Sequence, residues 1–167
     1  MKTCPACSKQ YTRRAKGGFC PHCSVELYVS VGGVVRLKED KETVDAILDV
    51  LNDHLDRLSN QTRTFEVGEN SRERKFAYDL LERTKVYLSK QNAAVSVTAR
   101  DFLIGFLKYV LSIPWWSQNL RSLVQLNNRL PELVREYWAK LRNQLAQIQG
   151  QTRIMSQLPE LELTYGL

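Results

Sequence analysis

The residues best equipped for chemistry come first in the chain. Cys4-Pro5-Ala6-Cys7 and Cys20-Pro21-His22-Cys23 hold all four cysteines, as two Cys-x-x-Cys pairs with twelve residues between them. Four thiolates at this spacing suit a tetrahedral metal, because each short turn points both sulfurs at one centre. The prolines pre-set the turns, and Gly17-Gly18 relaxes the loop that returns between them. A redox dithiol would instead open a helix after a strand. Here the second pair runs into Ser24-Val25-Glu26-Leu27-Tyr28-Val29-Ser30-Val31, which reads as a strand. Zinc is the expected cofactor, with Cys4, Cys7, Cys20 and Cys23 as its ligands. His22 sits between two better ligands and is expected in solvent, whereas His54, alone on a helix, is expected to be structural.

The elements that must position these sulfurs follow directly. Glu26 to Val31 alternates, Gly32-Gly33 signals a hairpin, and Val34-Val35-Arg36-Leu37 returns. Two knuckles and a hairpin make a zinc ribbon, a module too small to hold together without its metal. Its loop interleaves Tyr11, Arg13, Arg14, Lys16 and Phe19, cations and aromatics that suit phosphate neutralisation and base stacking. These five are the expected nucleic-acid contacts, with DNA preferred to RNA.

Charge divides the chain into blocks. Residues 1–38 hold seven basic and one acidic residue, residues 39–70 three basic and nine acidic, and residues 71–167 fourteen basic and eight acidic. The net +6 therefore conceals an acidic belt between two basic ends, which points to more than one kind of partner. The belt is helical: Val44, Ile47, Leu48, Leu51, Leu55 and Leu58 share one face. Asp45, Asp49, Asp53 and Asp56 stripe another, headed by Glu42, either as a solvated face or as a docking surface for a basic partner. Residues 59–70 read as a linker.

From Ser71 onward the pattern is helical, with apolar Phe76, Leu80, Leu81 and Leu88 and a break at Gln91-Asn92. Thr98 and Asp101 open a helix that buries Phe102, Leu103, Phe106, Leu107, Val110 and Leu111 and stops at Ile113-Pro114. Ser122 and Gln125 cap a short helix, and Pro131 suits a first helical position. The last helix, to about Gln149, aligns Val134, Tyr137, Trp138, Leu141, Leu145 and Ile148. Trp115, Trp116 and Trp138 are expected in the core. The fold class is mainly α: a small N-terminal β zinc ribbon (1–38), an acidic helix and linker (39–70), a compact helical domain (71–150) and a C-terminal tail (151–167).

No run approaches the length of a membrane span and no signal-peptide region precedes the cysteines, so a cytoplasmic protein with reduced thiols and no membrane partner is expected. No Gly-rich phosphate loop ends in Gly-Lys-Ser/Thr, and neither histidine has the company of a catalytic triad. An enzyme is not expected.

The stretch Ile113 to Trp138, IPWWSQNLRSLVQLNNRLPELVREYW, carries an aromatic-Trp pair at Trp115-Trp116, then Asn119-Leu120, Ser122, Leu126, Leu130 and Leu133. With the helix before it, over residues 75–142, it resembles the helical C-terminal region of phage and prophage DNA-replication proteins of the initiator and helicase-loader type. The ribbon is similar to those of primases and of replication or transcription factors. Typical initiators carry a winged-helix domain ahead of the helical region, where this chain carries a ribbon. The resemblance implies a non-catalytic accessory factor that binds nucleic acid and contacts a helicase or another replisome protein. The alternative is a transcription regulator that grips RNA polymerase through the ribbon and the acidic helix.

Overall fold

The computed structural model describes residues 1–12, 18–30, 33–59, 71–91 and 97–164, with side chains to residue 151. It is mainly α with a small N-terminal β region, and it divides into two compact units, Met1–Asn127 and Asn128–Leu167.

The first unit opens with two small antiparallel sheets. Strands β1 (Lys2–Thr3) and β2 (Gln10–Tyr11) pair across the first cysteine turn, with Lys2 opposite Tyr11. Strand β3 (Gly18–Phe19) pairs with β4 (Glu26–Val29) across the second turn, and β4 pairs with β5 (Val35–Leu37). The expected hairpin is therefore present, although β4 ends at Val29 and Val31-Gly32 lie outside the described residues. Gly33 sits at φ 79°, a left-handed conformation that favours glycine, and its N–H donates to the Ser30 carbonyl to close the turn.

Helix α1 (Lys38–Ser59) begins at the residue after β5. Its first-turn Glu39 and Asp40 complement the positive end of the helix dipole. The three-and-four spacing read from the sequence places Val44, Ile47, Leu48, Leu51 and Leu55 in the core, while Leu58, at the end of the stripe, is exposed. Helix α2 (Arg72–Lys90) starts at Ser71, whose Oγ accepts the Arg74 N–H. Helix α3 (Ala99–Ser112) starts at Thr98, whose Oγ accepts the Asp101 N–H. These two helices pack on α1 and on each other, burying Ala77, Tyr78, Leu80, Leu81, Phe102, Leu103, Phe106, Leu107 and Val110. Burying side chains of this size is the dominant favourable term in the fold.

Pro114 ends α3 and opens the short helix α4 (Pro114–Asn119). Ser122 and Gln125 then form a full capping box on a 3-10 turn, Leu123–Leu126. The Glu73 carboxylate of α2 clamps that turn, accepting from the Ser122 hydroxyl and, at 2.9 Å, from the Leu123 N–H.

The second unit is helix α5 (Leu130–Thr164), in which Leu130, Leu133, Tyr137 and Trp138 are buried. Pro131 stands at its second position rather than its first. The helix also runs on past Gln149 to Thr164, where the sequence suggested a tail after Gly150. A lone glycine costs a helix only about 1 kcal/mol, and the residues on either side of it are mostly good helix formers. Ile148, expected in the apolar stripe, is 58% exposed. Among the described residues no helix is long and apolar enough to cross a membrane.

Candidate metal centre

The two cysteine turns are built to the same plan. The Cys4 carbonyl accepts the Ser8 N–H at 2.9 Å, and the Cys20 carbonyl accepts the Ser24 N–H at 2.9 Å. The Cys4 N–H donates to the Lys9 carbonyl at 3.0 Å, and the Cys20 N–H to the Val25 carbonyl at 2.8 Å. Each turn closes with a serine in the left-handed region, Ser8 at φ 59° and Ser24 at φ 57°. Repeating one strained turn twice turns both pairs of sulfurs toward a common point.

All four sulfurs lie within 4.8 Å of one another. Cys4 and Cys23 Sγ are 3.8 Å apart, as are Cys7 and Cys20 Sγ. These are the edges of a tetrahedron with metal–sulfur bonds of ~2.3 Å, for which the edge is ~3.8 Å. They are far too long for disulfides, and all four thiols are free. The arrangement could hold a metal ion in a closed, four-coordinate shell.

Cys4 and Cys20 are buried, Cys7 is half-buried and Cys23 is exposed. Burial raises the Cys20 thiol, but backbone N–H groups of His22 and Cys23, with the neighbouring sulfurs, outweigh it and lower its pKa to about 6. At Cys23 the Val25 N–H favours the thiolate, yet burial and the other three sulfurs prevail and push it up to about 12. Cys20 and Cys23 are thus pushed in opposite directions within one coupled set of sulfurs. A cation held by the four sulfurs would relieve their mutual repulsion.

The other residues singled out in the sequence are distributed as follows. Tyr11, expected to stack on bases, is only 6% exposed and packs with Cys4, Cys20 and Leu27 in the ribbon core. A ring so enclosed has no face to offer a base, so Tyr11 is a core residue of the ribbon. Phe19 is 64% exposed on β3. Arg13, Arg14 and Lys16 lie outside the described residues. His22 is exposed, with Nε2 3.2 Å from the Gln10 carbonyl oxygen.

Of the acidic stripe, Asp49 and Asp53 are exposed and Asp56 is half-buried. Asp45 turns inward, 2.6 Å from Lys41 Nζ and 2.6 Å from the Nη1 of the buried Arg74. Burial alone would raise its carboxyl, but hydrogen bonds from Lys41 and Arg74, and their charges, hold it below the ordinary carboxylate range. Asp40 similarly pairs with Lys85 of α2 at 2.7 Å.

Further contacts lock the ribbon to the helices. The Arg36 guanidinium of β5 stacks 3.6 Å from the centre of the Tyr78 ring on α2. Lys41 of α1 lies 5.1 Å over the Tyr28 ring of β4, and Lys38 pairs with Glu26 at 2.7 Å. His54 is buried, as expected of a structural histidine, with Nε2 3.2 Å from the Leu120 carbonyl oxygen. Sequence reasoning missed the exposure of Trp115, which lies on the six-residue α4 and is 59% exposed. It also missed the left-handed serines, for which the only signal was their place directly after each cysteine pair.

No known protein family, no curated protein and no solved structure matches the chain.

Proposed function

We propose that this chain is a zinc-ribbon accessory factor of phage-type DNA replication, which binds nucleic acid without catalysing a reaction. The observation that carries this reading is the convergence of Cys4, Cys7, Cys20 and Cys23 to within 4.8 Å of one another, on a ribbon whose connecting loop contains Arg13, Arg14 and Lys16. Four thiolates favour zinc over hard cations, and a shell with no open position is a structural site. When bound, zinc supplies a cross-link between the two cysteine turns. The chain's own residues do the rest: the cysteines fix both ends of the basic loop, and the loop cations neutralise phosphates. Phe19, exposed on β3 at one end of the loop, offers a ring for an unpaired base.

The likeness of residues 113–138 to helicase-loader-type proteins supports a helicase or another replisome protein as the partner of the helical body, with a cytoplasmic site of action. Native mass spectrometry should find one zinc per chain. DNA binding should weaken steeply with salt, and Arg13→Ala with Arg14→Ala should flatten that dependence by up to two phosphate contacts, each worth roughly 0.7–0.9 in slope. A helicase should be captured from host lysate after nuclease treatment. A chain that carries zinc, ignores DNA and captures RNA polymerase would replace this reading with that of a transcription regulator.

A further inference from the structure

The corner where the end of α1 meets the junction of α3 and α4 gathers cations beside an exposed tryptophan. Arg57, Lys108, Leu111 and Ser112 line a groove there with Val50 and Asp53, of about 260 Å³. That is below the ~300–1,000 Å³ of cavities that enclose small ligands, so the groove is a surface track rather than a pocket. Arg57 and Arg121 flank the same buried side chain, since the charges of both bear on His54. Among the described residues, Arg57, Lys108 and Arg121 form no ion pair. Arg57 Nε donates to the Asp53 carbonyl, and Arg121 Nη1 to the carbonyls of Gln118 and Leu120. These bonds orient both guanidiniums without neutralising them. Asp53 is the one carboxylate in the groove lining.

Trp115 stands three residues beyond Ser112, so its Cα is within ~11 Å of that residue's. Its ring is braced edge-on by Trp116, with centroids 4.8 Å apart. No residue of α4 is fully buried, and polar Ser117, Gln118 and Asn119 share the helix with the two tryptophans. One exposed ring on a short polar helix, following directly on a groove that carries cations, does not make an apolar docking face; it matches a strand whose phosphates and unstacked bases alternate.

We infer that this corner is a second contact surface for single-stranded nucleic acid, with phosphates on Arg57, Lys108 and Arg121 and a base stacked on Trp115. The inference rests on the nucleic-acid reading above but uses none of the ribbon's residues, so the two can fail separately.

Anisotropy titrations of the full chain test it, with a labelled single-stranded DNA oligonucleotide, its RNA counterpart and a duplex of equal length. Trp115→Ala should lower single-strand affinity roughly five- to a hundredfold, while duplex affinity holds. Trp115→Phe should recover part of the loss. Lys108→Gln should reduce the single-strand salt slope by ~0.7. Asp53→Asn should tighten binding, a gain that a misfolded variant cannot mimic. Equal dependence of DNA and RNA on Trp115 supports the shared chemistry, and the tighter of the two identifies the strand. Binding by the native chain that Trp115→Ala and Lys108→Gln leave unchanged overturns the corner and spares the ribbon. Equal losses on single strand and duplex overturn the stacking. No binding at low salt by the native chain overturns both surfaces.

Discussion

At the scale of single residues, the decisive positions are the cysteines and the serines that follow them. Because Ser8 and Ser24 carry a side chain in the left-handed region, each turn stores about 1 kcal/mol. Ser24→Gly should leave zinc affinity and ribbon stability unchanged or slightly improved, whereas a β-branched Ser24→Val should weaken both, as read by chelator competition. His54 sets a pH dependence. Burial lowers its pKa, the Leu120 carbonyl opposes that, and the charges of Arg121 and Arg57 add to the lowering. The folded state thus disfavours the proton that the unfolded chain takes up near pH 6.5. The stability contributed by neutral His54 is complete above pH 6.5 and is lost as pH falls toward the depressed folded value. Urea melts between pH 7 and 5 should show this decline, and His54→Gln should flatten it. Cysteine spacing made the four-sulfur cluster legible, because the geometry of such turns is local. The burial of Tyr11 was not legible, because a two-residue strand is too short for alternation to show which side faces in.

Single elements were legible wherever a stripe ran for several turns. The centres of the apolar faces of α1, α2 and α3 are those the three-and-four spacing implied, with Phe106 fully buried, while their ends are more open: Leu58 is exposed and Phe76, Leu88 and Leu111 are half-buried. Phe106→Ala should therefore cost about 3–5 kcal/mol in a denaturant melt. Trp115→Ala should change stability by less than about 0.5 kcal/mol, because that ring is mostly in water. The contrast separates core aromatics from surface ones, which sequence alone ran together. Pro114 separates α4 from α3, and α4 ends after six residues at the extended Leu120; adjacent positions on so short a helix point in different directions, so no periodic face marked Trp115 as exposed. The length of α5 was misread for the opposite reason. Gly150 is a strong stop signal in isolation, but its cost is small against the many helix-favouring residues around it.

At the largest scale, α1 is the element that the ribbon and helices α2 and α3 of the first unit share. Its first turns meet β4 and β5, and its middle packs on α2 and α3. A chain beginning at Lys38 should melt cooperatively, whereas one beginning at Ser71 should not, because Val44, Ile47, Leu48, Leu51 and Leu55 would be missing from the core. Stripping the metal should loosen the ribbon while most of the helical circular dichroism remains, since the cysteines lie outside that core. The sequence left open whether the acidic helix stands apart. Its apolar stripe showed that it is covered, but a stripe does not name what covers it. Because α1 starts directly after β5, no linker separates the last ribbon strand from the helix that runs to Arg57 at the corner. From Lys38 to Arg57 it measures ~28 Å, at 1.5 Å per residue. At 3.4 Å per nucleotide that is the span of about eight nucleotides, and fewer if the strand is drawn out. Were the ribbon and the corner both to bind one strand, as proposed, oligonucleotides shorter than this would reach one surface at a time and longer ones both, so affinity should rise abruptly with length near that size. A helix that looks like mere scaffolding would then set the site size of the protein.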